Sequence, residues 1–171
     1  LHDAKEVFRV IRSARTVAAL GGLIEEHRGK FKPEIIWEFE DGLKLDAGEV
    51  GRAQRAHGAL VARLAAFFED HDLLLCPMTA VPPFDVDQRY VEEIDGQAMS
   101  TYHEWFTIAS TISLTGCPAL SLPCGFTAAG LPVGLQIVAP PRGEAALLSA
   151  AALAESVFGV AAKVPLPLAI A

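Results

Sequence analysis

Basic charge is in short supply. The 171 residues hold 14 Lys and Arg against 21 Asp and Glu, a net charge of −7. That balance argues against binding nucleic acid through a basic surface. Cysteine is scarce and odd in number, so Cys76, Cys117 and Cys124 cannot all pair with one another. All three sit in apolar segments, two of them directly before a proline, which reads as reduced, buried thiols in a reducing compartment. No run reaches the roughly 20 strongly apolar residues that a membrane span needs. The nearest, 145–162, is mostly alanine and includes Ser149, Glu155, Ser156 and Gly159, so it reads as a buried or amphipathic helix. The opening residues, Leu1 to Glu6, have no apolar signal core. They also lack an initial Met, which suggests a piece of something longer. A cytoplasmic location is the expectation.

Several chemistries lack their residues too. There is no Gly-x-Ser-x-Gly elbow, Walker loop or dinucleotide fingerprint. His103-Glu104 begins like a zinc-protease helix, but Thr107 stands where the second His is needed. Cys117 and Cys124 are too far apart for a Cys-x-x-Cys clamp. Neither a metal nor a cofactor is expected.

What is present is a folded α/β chain. With 51% apolar and 20% charged residues, disorder is excluded, and the length fits one domain with a sizeable core. Residues 1–70 read as mainly helical. Val7, Val10, Ile11, Ala14, Val17 and Ala18 recur at helical spacing, and Gly21-Gly22 weakens that helix without ending it. Pro33 can open a short second helix that closes near Gly42. Asp46 and Glu49 have capping-box spacing before a long helix whose stripe includes Val50, Ala53, His57, Leu60, Val61, Leu64, Phe67 and Phe68. His57 on that stripe is expected to be a satisfied core or interface histidine rather than a ligand.

Residues 71–160 mix strands and helices. Leu73 to Cys76 reads as a strand buried on both faces. Residues 77–100 are a long irregular excursion; its mixed-charge part, around Arg89-Tyr90 and Glu92-Glu93, reads more readily as a solvated loop than as a lid. Thr101 and Glu104 predict a second capping box opening a helix through Ile112. Two strands follow, 119–123 and 133–138, joined through Gly130-Leu131-Pro132. A last helix spans about 143–157, and 161–171 is a tail.

One segment is distinctive. Gly116-Cys117-Pro118-Ala119, then Leu122-Pro123-Cys124-Gly125, then Gly130-Leu131-Pro132-Val133-Gly134-Leu135-Gln136 follow in fixed order and spacing. Physically, Gly116 permits a sharp turn from helix to strand. Gly125 and Gly130 bracket a hairpin, and Gly134 implies close approach of another backbone or a helix. These are architectural roles, and Gln136 completes the pattern. The segment resembles the C-terminal signature of the amidase-signature family, and Asp72 to Thr79 resembles the family's strand leading into the substrate pocket. The resemblance is strong over about 72–158.

That resemblance implies the C-terminal part of a large mixed β-sheet flanked by helices. It also implies hydrolysis of a carboxylic amide by a Ser-Ser-Lys triad, with backbone donors stabilising the oxyanion. The family's triad lies upstream in a Gly-Ser-rich segment. Here the only Gly-Gly pair is Gly21-Gly22, and Lys5, Lys30, Lys32, Lys44 and Lys163 lie far from any serine cluster. The chain is therefore expected to hold no catalytic residue and to be inert by itself. Met78, Thr79, Tyr102 and Trp105 are candidates for a wall that holds a small-molecule amide; Tyr102 and Trp105 are expected on one helix face. Trp105 serves equally well as core filler.

Two positions depart from the family. Ser113 replaces a common Asn, and Phe106 stands where tRNA-dependent amidotransferase subunits carry an Asp that helps hold glutamine. Phe106 favours a general amidase over one of those subunits. The remaining reading is a non-enzymatic binding or scaffold module derived from an amidase. A sheet cut in this way exposes apolar surface and strand edges, which would favour self-association as a homodimer.

Overall fold

The computed structural model describes residues 3–160. The tail expected at 161–171 lies outside the described residues.

Helix α1 (Ala4–His27) runs straight through Gly21-Gly22 and buries Ala4, Val7, Val10 and Ile24. Its inner face also buries two hydroxyls, Ser13 and Thr16. Helix α2 (Pro33–Gly42) starts on Pro33, whose fixed φ suits a first helical position. It packs along α1 so closely that a Cβ at Gly42 would stand 2.3 Å from the Ser13 carbonyl oxygen.

Helix α3 (Ala47–Asp70) opens on a formed capping box. The Glu49 amide donates to Asp46 Oδ1 at 2.7 Å, and the Asp46 amide donates to Glu49 Oε2 at 2.9 Å. Its buried stripe is narrower than expected. Ala53, Leu60 and Leu64 are covered, whereas Val61 turns outward, because it is chiefly α1 that lies along this helix. Ala4, Val7, Leu60 and Leu114 form the apolar cluster of this helical layer.

Strand β1 (Leu74–Pro77) follows α3 directly. The expectation that it is buried on both faces is corrected: its burial alternates and Leu75 is 55% exposed. The cause is its place in the sheet, because among the described residues β1 is an edge strand paired on one side only. The excursion folds into a small hairpin, β2 (Glu93–Ile94) and β3 (Gln97–Ala98), turned by Asp95 and Gly96, both with positive φ.

The second expected capping box does not form. The Glu104 carboxylate instead accepts from the Ser100 amide at 2.9 Å and pairs with Lys5 Nζ at 2.9 Å. The chain makes a 3-10 turn over Glu104–Phe106, and helix α4 (Thr107–Ser113) starts after it.

Gly116, at φ +68, then turns the chain into β4 (Ala119–Phe126), which pairs antiparallel with β5 (Pro132–Val138). A register shift after Pro123 lets Cys124 bulge, so β4 continues three residues beyond its expected end. Proline is tolerated there because β4 is the other edge strand among the described residues. The sheet order is β1-β5-β4, antiparallel throughout the described residues. Helix α5 (Glu144–Phe158) lies on one face, where Leu147 and Ala151 close a second apolar cluster with Leu122, Ile137 and Ala139.

Candidate functional site

A cavity of about 500 Å3 opens where β1 ends and the excursion begins. Met78, Thr79, Phe84 and Trp105 form its walls, and Ser121 and Gly134 its floor. The Met78 amide donates to the Gly134 carbonyl at 3.2 Å, which carries the β1–β5 ladder one residue beyond the strand. Thr79 Oγ1 donates to the Val81 carbonyl at 2.8 Å and pins the start of the proline-rich turn. The turn brings Phe84 edge-on to Trp105, with ring centroids 5.4 Å apart. No lining residue carries an ionisable side chain. The indole Nε1 of Trp105 is buried and has no hydrogen-bond partner among the described residues.

The floor depends on Gly134, and the nature of the close approach there is a correction. Neither a backbone nor a helix crowds it. A Cβ at 134 would stand 2.6 Å from Ser121 Oγ and 3.5 Å from Met78 Cβ, so a hydroxyl of the neighbouring strand takes the space. Pro132 also borders the cavity. The other signature residues hold the frame. The Pro118 carbonyl accepts from the Ala139 amide at 3.0 Å, and Gly130 has φ +79 in the β4–β5 turn. Pro123 and Gly125 flank the bulge, and buried Gln136 accepts from Cys76 Sγ at 3.3 Å. Burial pushes the Cys76 thiol pKa up. The three cysteines are free but half-buried rather than buried, because all lie on or beside edge strands.

Three of the four expected pocket residues therefore meet at the cavity: Met78, Thr79 and Trp105. Tyr102 does not border it. It lies ahead of the 3-10 turn rather than on a shared helix face, and its ring packs on Tyr90 and Phe106 at 5.9 and 5.5 Å. A second, wider hollow of about 840 Å3 lies between α1 and α4 and is bordered by Arg12, Arg15, His57, Phe106 and Ser113. His57 is satisfied, with Nε2 2.6 Å from the Leu114 carbonyl. Ser113 Oγ is occupied within its own helix, donating to the Ala109 carbonyl at 2.9 Å.

A buried polar network connects the helices to this region, and it was not foreseen from the sequence. Glu38, 1% exposed, accepts from His103 Nε2 at 2.6 Å, Thr16 Oγ1 at 2.9 Å and Arg12 Nε at 3.0 Å. Burial pushes its carboxyl pKa up, but the bonds from His103 and Thr16 and the Arg12 charge outweigh that and hold it below the ordinary range. One turn on, Asp41 accepts from Arg9 and from Ser13 Oγ at 2.8 Å. One turn back, Glu34 takes a two-pronged bond from Arg89 of the excursion, and that bond lowers its pKa.

Chemically, the cavity can receive a neutral, largely apolar group. The hydroxyls of Thr79, Ser121 and Thr127 face it without a His, Lys or carboxylate among the lining residues to accept a proton, so none is an activated nucleophile. Among the described residues, no group of three His, Cys, Asp or Glu could hold a metal ion, and no helix is long and apolar enough to cross a membrane.

Comparison with known proteins agrees with this frame. The family model described as Amidase matches residues 23–148. An acylamidase of Rhodococcus erythropolis is 31% identical over 141 residues, which cover 82% of this chain and 30% of the relative. The A-type chain of the glutamyl-tRNA(Gln) amidotransferase of Myxococcus xanthus is 38% identical over 97 residues, 57% of this chain and 19% of the relative. A solved amidase structure superposes with a TM-score of 0.79 at 24% identity, covering 90% of this chain and 35% of its own. A bacterial aryl acylamidase of the amidase signature family gives 0.76 at 19%, covering 96% and 37%. These two structures establish the shared fold. The chain spans about a fifth to a third of the length of the curated relatives it matches. Matched by the family model over most of its length, the chain belongs to the amidase family.

Proposed function

We propose that this chain is the C-terminal part of an amidase that hydrolyses a carboxylic amide C–N bond, and that it supplies a substrate wall rather than the reacting centre. The observation that carries this is the cavity itself. Met78, Thr79 and Trp105 converge on a space without an ionisable wall, at the end of a strand that the family pattern leads into its pocket. An apolar recess with a few hydroxyls suits the neutral acyl or leaving group of an amide. The Ser-Ser-Lys chemistry would come from residues outside this chain: a serine attacks the carbonyl, a second serine relays its proton, and the lysine receives it. The reading places the protein in the cytoplasm, which three unpaired cysteines support. In isolation the outer edge of β1, which pairs with no strand among the described residues, would favour a homodimer.

A second reading, the A-type chain of a tRNA-dependent amidotransferase, draws on the 38% identity to such a protein. Phe106 and the uncharged cavity favour a neutral amide over an amino-acid amide, which needs charged partners. The test compares the 171-residue chain with the full-length protein on acetanilide and on glutamine. The proposal expects anilide hydrolysis by the full-length protein alone. Anilide turnover by the chain, abolished by a fluorophosphonate, would overturn it; glutaminase activity that needs a co-purifying partner protein would establish the second reading.

A further inference from the structure

Trp105 has no bond of its own to fix it. Its indole N–H has no partner among the described residues, and its ring meets Phe84, Phe106 and Tyr102 only edge-on, at 5.4, 5.4 and 6.5 Å. Its orientation therefore follows the 3-10 turn that carries it, and a three-residue turn has little rigidity of its own. Besides local bonds from the Ser100 amide and Thr107 Oγ1 to Glu104, two long-range tethers tie that turn to the helices. One is the Lys5–Glu104 pair, with Lys5 60% exposed, so salt screens it. The other is His103, two residues before Trp105, bonded at 2.6 Å to Glu38 in the interior.

The interior tether is anchored through Nε2 and by packing, while His103 Nδ1 is buried with no hydrogen-bond partner among the described residues. Thr16 and Arg12 of α1 fix the Glu38 carboxylate, which rides on α2. Phe8 of α1, Trp37 of α2, and Tyr102 and Phe106 of its own segment enclose the imidazole at ring distances of 5.6 to 5.9 Å. The charged groups around it are Arg12, Glu38 and the Lys5–Glu104 pair. A buried acid–imidazole pair adds little net stability over an apolar pair of the same volume. What it adds is direction: one N–H aimed at one oxygen fixes the rotation of the turn, which ring contacts alone do not.

We propose that His103, clamped by Glu38, is a positioning residue that sets Trp105 against the apolar part of the amide substrate. This rests on the amidase reading of the cavity. The sequence holds two tryptophans, so a Trp37→Phe background makes Trp105 the sole reporter. In that background His103→Gln, His103→Leu and the pair Glu38→Met with His103→Leu are compared. The 171-residue chain is read by melting temperature and acrylamide quenching of Trp105. The full-length protein is read by kcat and KM for acetanilide.

His103→Gln keeps a donor for Glu38 and should match the background. His103→Leu should melt earlier and expose Trp105 to quencher. The double variant, freed of the buried charge, should regain its melting temperature yet stay quenchable. Its KM should rise roughly tenfold, the size of one aromatic contact, with kcat little changed. Recovery of melting temperature and native quenching together in the double variant would overturn the proposal, since the pair would then be structural only. If no full-length variant hydrolyses any amide, the amidase reading fails separately, and the quenching comparison still decides whether His103 positions Trp105.

Discussion

Substituting Ala for Gly42 should drive α1 and α2 apart. The added Cβ would lie 2.3 Å from the Ser13 carbonyl oxygen and 2.6 Å from Val17 Cγ2. The valine methyl can yield by a small torsion, but the carbonyl belongs to the α1 backbone and cannot rotate away. Separation would also stretch the neighbouring bonds that Ser13 and Arg9 donate to Asp41, 2.8 and 2.6 Å long. Overpacking of this kind costs about 1–3 kcal/mol. Against it stands a helix-propensity gain of at most about 1 kcal/mol, less at the last residue of a helix. The expected net loss is about 2 kcal/mol, which for a chain of this size lowers the melting temperature by about 4–8 °C. Gly58 supplies the control. It is exposed in α3, and an added Cβ would meet nothing within 4 Å, so Gly58→Ala should raise stability by about 0.5–1 kcal/mol. Thermal unfolding followed by circular dichroism on the 171-residue chain reads both. A Gly42→Ala chain that melts at or above the unsubstituted one would refute the close approach of the two helices.

Asp46→Ala removes the acceptor of the α3 capping box and should cost about 1 kcal/mol in urea unfolding, while Asp46→Asn should retain most of it. Equal losses for the two would mean that the box contributes through charge alone. Acid should also be felt at Glu38, whose pKa is below the ordinary 4.5 in the folded chain. A depressed carboxyl binds fewer protons folded than unfolded. Its contribution is therefore present above that ordinary value and is lost as pH falls through the folded one. Glu38→Gln should flatten this acid limb of a stability–pH curve, and an unchanged slope would contradict the assignment.

Local signals in the sequence survived folding where nothing distant competed for the groups. Asp46 and Glu49 cap α3 because both partners sit within one turn. Thr101 and Glu104 have the same spacing, yet Lys5, about a hundred residues earlier, shares the carboxylate with the Ser100 amide. The two-sided burial expected of Leu73 to Cys76 failed for a related reason. An apolar run reveals its hydrophobicity but not how many strands will flank it. Glu38 and His103 are 65 positions apart and look like ordinary polar residues in a linear reading. Only the packing of α2 beside the 3-10 turn makes them a pair. Asp95-Gly96 is different: the hairpin signal was local and legible, and a loop-rich setting hid it. Of the pocket candidates, Met78 and Thr79 followed from the strand before them. Tyr102 lies outside the cavity lining because the helix expected to carry it starts only at Thr107.

The floor at Gly134 has a consequence for how such a recess changes over time. With no side chain there, the cavity is already as deep as that position allows, and Ser121 and Met78 occupy what a Cβ would take. Every replacement at 134 can only make the recess shallower. A shallower recess is thus one substitution away, once Ser121 Oγ shifts to admit the Cβ, whereas a deeper one must come from moving the walls at Phe84 or Trp105. Change at this spot runs in one direction, and the depth of the recess is set at its floor by a single hydrogen atom.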